Sequence, residues 1–194
     1  MLFKLNNTTI KISFSFIALI LLFFVSDKRE VLFNTLLCAF LHELVHIIFL
    51  FGFSGKISYV SLSFLGADIK RSSQFVLSNI KEAVICISAP IFNLLMCFVT
   101  VLIFGEMNAF SKANFTLGFI NILPFYTSDG GCFIKYILLT KYSEDVTEKR
   151  VTVISILTAI VFTVISVSAC IVTKKISASI LFCLYMVLSL VFKK

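Results

Sequence analysis

The run His42-Glu43-Leu44-Val45-His46 places two imidazoles four residues apart with a carboxylate beside the first. On a helix, such positions share one face about a turn apart, so both rings can reach a single ion. Glu43 can then hold a water beside that ion and act as its general base, which is the chemistry of a zinc hydrolase. His42 and His46 are the only two histidines of the chain. They lie in an apolar segment, with His42 ~16 Å along the helix axis from Val31. An ionisable group at that depth is costly in lipid and points to a functional site. The competing interpretation is a histidine–glutamate cluster that only joins helices.

A catalytic zinc takes three protein ligands and keeps one position open. With no further histidine, the third ligand must be a carboxylate or a thiolate. Of the ten acidic residues, Asp27, Glu30, Asp68, Glu82, Glu106, Glu144, Asp145 and Glu148 fall in loops or near helix ends, and Glu43 serves as the base. Asp129 remains. It lies in the stretch from Asn121 to Gly131, between two apolar halves of one segment. Pro124 cannot continue a helical hydrogen-bond ladder, Gly130 and Gly131 permit unusual backbone angles, and broken helices at membrane depth line cavities or are buried in protein. The same residues also fit a simple turn that leaves Asp129 in solvent. Cys132 is the fallback ligand.

The elements that must position these residues follow from composition. Of 194 residues, 59% are hydrophobic and only 14% charged, and the mean hydropathy is +1.06. Soluble domains are less apolar and carry about 25% charged residues, so lipid is the expected solvent. The net charge of +7 comes from 17 basic residues scattered between apolar runs. They form no basic face, which argues against nucleic-acid binding. Six cysteines occur without a CxxC pair, a pattern of apolar packing residues rather than a disulfide framework.

The expected fold class is an all-α polytopic membrane protein of about six transmembrane helices, a single domain over 1–194. The candidate spans are 10–25, 31–53, 83–104, 114–140 (interrupted around 124–131), 151–173 and 176–192. The first is read as an uncleaved anchor rather than a signal peptide, because no small-x-small cleavage site follows it. The stretch from Lys56 to Lys70 partly alternates apolar and small polar residues. It is either a β-hairpin packed on the helices, turning at Gly66, or a surface loop. With the N-terminus inside, twelve of the seventeen basic residues fall on the cytoplasmic side, so both termini are expected in the cytoplasm.

HELVH on an early span, Ser88-Ala89-Pro90-Ile91-Phe92-Asn93 on the next, and Asn121…Pro124…Asp129-Gly130 on a later one together resemble the site-2 protease family of intramembrane metalloproteases. The resemblance covers about 31–140. Small size and a six-helix plan are most similar to the bacterial sporulation branch, which cleaves a membrane-tethered pro-sigma factor. It implies Zn²⁺ held by His42, His46 and Asp129, Glu43 as the catalytic base, and a re-entrant β-hairpin offering an edge strand to unwound substrate. It also implies a bacterial cytoplasmic membrane, a membrane-anchored protein substrate and room for a regulatory membrane partner. Asn93 and Asn121 are expected to meet substrate or the developing oxyanion, although Asn93 equally suits a polar contact between helices. The family's glycine before the middle proline is Ala89 here, and neither a PDZ insert nor a C-terminal nucleotide-sensing domain is expected. Two functions compete with proteolysis. One is a non-catalytic zinc-binding membrane protein that captures transmembrane partners. The other is a transporter, disfavoured because no inverted repeat is visible.

Overall fold

A computed structural model describes residues 2–5, 8–12, 29–53, 57–63, 66–71, 77–174 and 178–191. The described residues form six helices: α1 Arg29–Gly52, α2 Asn79–Phe104, α3 Ala109–Ile122, α4 Asp129–Leu139, α5 Glu144–Thr173 and α6 Ala178–Val191. Four short strands accompany them: β1 Leu2–Leu5, β2 Thr8–Ile12, β3 Ile57–Ser63 and β4 Gly66–Arg71.

Three helices, α1, α2 and α5, are long and apolar enough to cross a membrane, with hydropathies of 1.9, 2.3 and 2.4. Their outward faces carry large apolar side chains such as Phe40, Leu102 and Val172, the last 82% exposed. Water would not tolerate so continuous an apolar surface, and lipid does. The chain is an integral membrane protein. The expected first span, 10–25, lies outside the described residues beyond Ile12, and Thr8–Ile12 is strand β2. The remaining segments are shorter than a full span: α3 and α6 have 14 residues each and α4 has 11.

The sheet runs in the order β1-β2-β3-β4, with β2 and β3 parallel and the other two pairs antiparallel. Gly66 opens β4, paired with Ser63 across the β3–β4 hairpin. Among the described residues, no strand pairs with the opposite edge of β4.

The helix ends follow from local chemistry. Asn108 caps α3 by accepting the Ser111 backbone N–H at 2.8 Å, and Ser128 caps α4 through the Gly131 N–H at 3.1 Å; each satisfies a donor that the first helical turn leaves unpaired. Gly105 closes α2 in the left-handed conformation, φ 74°, where glycine carries no Cβ penalty. The expected interruption of 114–140 is real but displaced. The helix stops at Ile122 and resumes at Asp129, so Asp129, Gly130 and Gly131 form the first turn of α4 rather than part of the break.

The interior includes many small and polar residues: Cys38, Ala83, Ser88, Ala89, Asn93, Ser111 and Asn114 of α1, α2 and α3 are buried. Such packing is expected in lipid, where apolar burial does not drive helices together and close approach and hydrogen bonds do. A Cβ at Gly118 of α3 would lie 2.9 Å from Leu94 and 3.1 Å from the Pro90 carbonyl of α2. Ala89 is fully buried.

Candidate metal centre

The apolar helix α1 carries His42 and His46 on one face, their rings edge to face with centroids 4.9 Å apart. Asp129 opens α4, and its carboxylate meets both rings. Oδ2 lies 2.9 Å from His42 Nε2 and 3.3 Å from His46 Nε2. The three side chains therefore converge although 83 residues separate His46 from Asp129 in the chain. Each offers one ligand atom, and these atoms lie within 4.8 Å of one another. Position N1 of a helix also suits a carboxylate, because the exposed N–H groups and the helix dipole favour negative charge there.

The far side of each ring decides what the near side can do. His46 Nδ1 lies 2.9 Å from the backbone carbonyl of Ile85. A carbonyl only accepts, so Nδ1 carries a proton, and in the neutral ring Nε2 keeps its lone pair. His42 Nδ1 lies 2.7 Å from Asn93 Oδ1. The orientation of that amide is set further along. Asn114 Nδ2 donates to the Phe110 carbonyl at 3.0 Å and reaches Cys38 Sγ at 3.0 Å. Asn114 Oδ1 therefore faces Asn93, whose Nδ2 donates to it at 3.0 Å. Asn93 Oδ1 is left for His42, which must donate from Nδ1. Neutral rings thus both present an Nε2 lone pair toward the same carboxylate oxygen.

Three electron-pair donors aimed at one point call for a cation between them. Ligands at about 2.0–2.2 Å around a tetrahedral ion stand about 3.3–3.5 Å apart, and the observed 2.9 and 3.3 Å are close to that spacing. Partners holding the remote Nδ1 are the usual support of metal-binding histidines, fixing tautomer and ring angle. The group could hold a metal.

Glu43 is half-buried on the same turn of α1. Asn93 is 0% exposed, and both ends of its amide are engaged by His42 and Asn114. Asn121 is half-buried in the last turn of α3. Cys132 sits one turn past Asp129, its Sγ 2.6 Å from that of Cys86, and the metal-capable group does not include it.

Sequence reasoning passed over Ile85, Asn114 and Ser128. Ile85 acts through its carbonyl, which leaves no mark on residue type. Asn114, a polar residue inside an apolar run, was a readable signal. So was Ser128, one residue ahead of a helix start.

No family model and no curated protein matches the sequence. Among solved structures, the fold is similar to that of the site-2 protease from Methanocaldococcus jannaschii, with a TM-score of 0.66 and 21% sequence identity, covering 98% of this chain and 93% of that chain. The likeness at that identity lies in the fold, which resembles a site-2 protease.

Proposed function

We propose that this chain is an intramembrane zinc metalloendopeptidase. It would hydrolyse a peptide bond in or beside a transmembrane segment of a membrane-anchored protein. The observation that carries this is the convergence of two Nε2 lone pairs and the Asp129 carboxylate on one point within a membrane helix bundle. His42, His46 and Asp129 would hold the ion. Zinc held there would supply the Lewis acidity that makes a water nucleophilic near neutral pH and steadies developing negative charge.

The remaining chemistry belongs to the chain. Glu43 takes the proton of the attacking water and passes it to the leaving amine. Asn93 and the Ile85 carbonyl hold the two rings in the tautomer that leaves Nε2 unprotonated. We therefore assign Asn93 to positioning His42 rather than to substrate, and keep Asn121 as the residue that meets substrate.

The free edge of β4 suits an unwound substrate strand, since an unpaired row of backbone donors and acceptors recruits another strand. On this reading β3 and β4 re-enter the membrane. The chain is one domain with its catalytic core over 31–140, six spans and both termini in the cytoplasm. A membrane-tethered pro-sigma factor in a sporulating bacterium is the substrate and setting that the likeness in helix plan to the sporulation branch favours, with a membrane protein as regulator.

The test is cleavage of a tethered substrate by the purified, zinc-loaded protein, with Glu43→Gln alongside. Glu43→Gln should retain about one zinc per chain and lower cleavage at least ~10³-fold. Undiminished cleavage in that variant would remove Glu43 as the base. Zinc retention without cleavage by the wild type would favour a non-catalytic protein that captures transmembrane partners.

A further inference from the structure

We propose that Cys86 and Cys132 form a redox modification site, a dithiol that a peroxide-class oxidant closes into a disulfide joining α2 to α4. The two residues come from different helices, and each borders the metal-capable group. Cys86 follows Ile85, whose carbonyl holds His46, and Cys132 follows Asp129 by one turn. Both are free thiols. Their sulfurs are 2.6 Å apart, with Cys86 donating.

That spacing selects among the things paired thiols do. Two thiolates bound to one zinc-like ion at about 2.3 Å would stand about 3.8 Å apart, so this pair is too close to straddle a metal. A disulfide needs about 2.05 Å, which a shift of about half an ångström provides. Simple packing accounts for one apolar cysteine; two thiols that face each other from separate helices are also placed to react with each other.

The two cysteines also differ in access. Cys86 is buried and Cys132 half-buried, so Cys132 meets the oxidant and Cys86 resolves it. With hydrogen peroxide, the Cys132 sulfur attacks one peroxide oxygen and the O–O bond breaks. This gives a sulfenic acid and one water. The Cys86 sulfur then attacks the sulfenic sulfur, the S–S bond forms and a second water leaves. Two thiols lose two electrons and two protons, and the peroxide is reduced to two waters. The product staples the first turn of α4, and Asp129 with it, to the stretch of α2 that positions His46.

The test uses the full chain in detergent, treated with hydrogen peroxide, then denatured and labelled with N-ethylmaleimide, with intact mass and peptide mapping as readouts. All but two of the six cysteines should take the label, with one linked peptide pair containing Cys86 and Cys132. Cys86→Ser and Cys132→Ser should each abolish that link, and either variant alone suffices if the other fails to fold. Full labelling of all six, a link between other cysteines, or sulfinic acid at Cys132 without a link would overturn the proposal. None of these readouts requires zinc or cleavage, so this site and the protease reading fail separately.

Discussion

The bundle α1–α4 and the pair α5–α6 solve helix association in lipid differently. In the first, buried polar residues are bonded across helices: His42 to Asn93, Asn93 to Asn114, Asn114 to Cys38, and Thr100 to Ser111 at 2.8 Å. In the second, Ala159 and Met186 pack with Phe125, Phe162, Phe182 and Leu190, and the Phe162 and Phe182 rings meet edge to face at 5.3 Å. The hydroxyls of α5 bond mainly to their own helix, as Ser155 does to the Val151 carbonyl. Directional bonds fix register to a fraction of an ångström, whereas apolar surfaces tolerate sliding and repacking. The half that holds the ligands is the half that cannot slide.

Four substitutions test that contrast, ordered by expected effect. Asp129→Ala should remove stoichiometric zinc from detergent-purified protein, because two imidazoles alone do not make a closed ligand set; full zinc retention would end the three-ligand assignment. Gly131→Ala should come next. Its Cβ would overlap the Phe125 carbonyl, so the turn into α4 must open. We expect a loss of about 2 kcal/mol or more in a thermal melt, with weakened zinc binding. Asn93→Ala touches no ligand atom, yet should weaken zinc about 10–100-fold in a chelator competition by releasing the His42 ring. Val164→Ala, in the groove between α5 and α6, should change zinc affinity less than about twofold. If Val164→Ala acts as strongly as Asn93→Ala, the two halves are one cooperative unit and the contrast collapses.

Much of the ligand-bearing half was legible because it breaks the rules of its surroundings. Histidines and a carboxylate inside apolar runs stand out by type, and four-residue spacing sets their shared face. The relation of α2 to α1 was not legible. The motif leaves Asn93 equally suited to substrate and to a polar contact between helices, and only the crossing of the two helices shows its amide turned toward His42 and Asn114. The restart at Asp129 was misread because Pro124 and the glycine pair mark a break without saying where it ends; the Ser128 cap does that. Residues 144–150 were left out of the fifth span because Glu144, Asp145, Lys149 and Arg150 interrupt the apolar count. They nevertheless begin α5. The helix continues regardless, since polar residues at its wet end do not disturb the backbone ladder.

The line from Phe110 through Asn114 and Asn93 to His42 has a direction, because each amide is a donor at one end and an acceptor at the other. Turning one amide over would set oxygen against oxygen and nitrogen against nitrogen. Only two states are self-consistent, all forward or all reversed, and the Phe110 carbonyl forbids the second. The address of one proton on one ring is thus a single bit, written by the backbone of α3 and read on α1. A backbone oxygen cannot be mutated away, so side-chain changes at position 110 leave the bit intact, and it is lost only by cutting the line or by turning α3 itself.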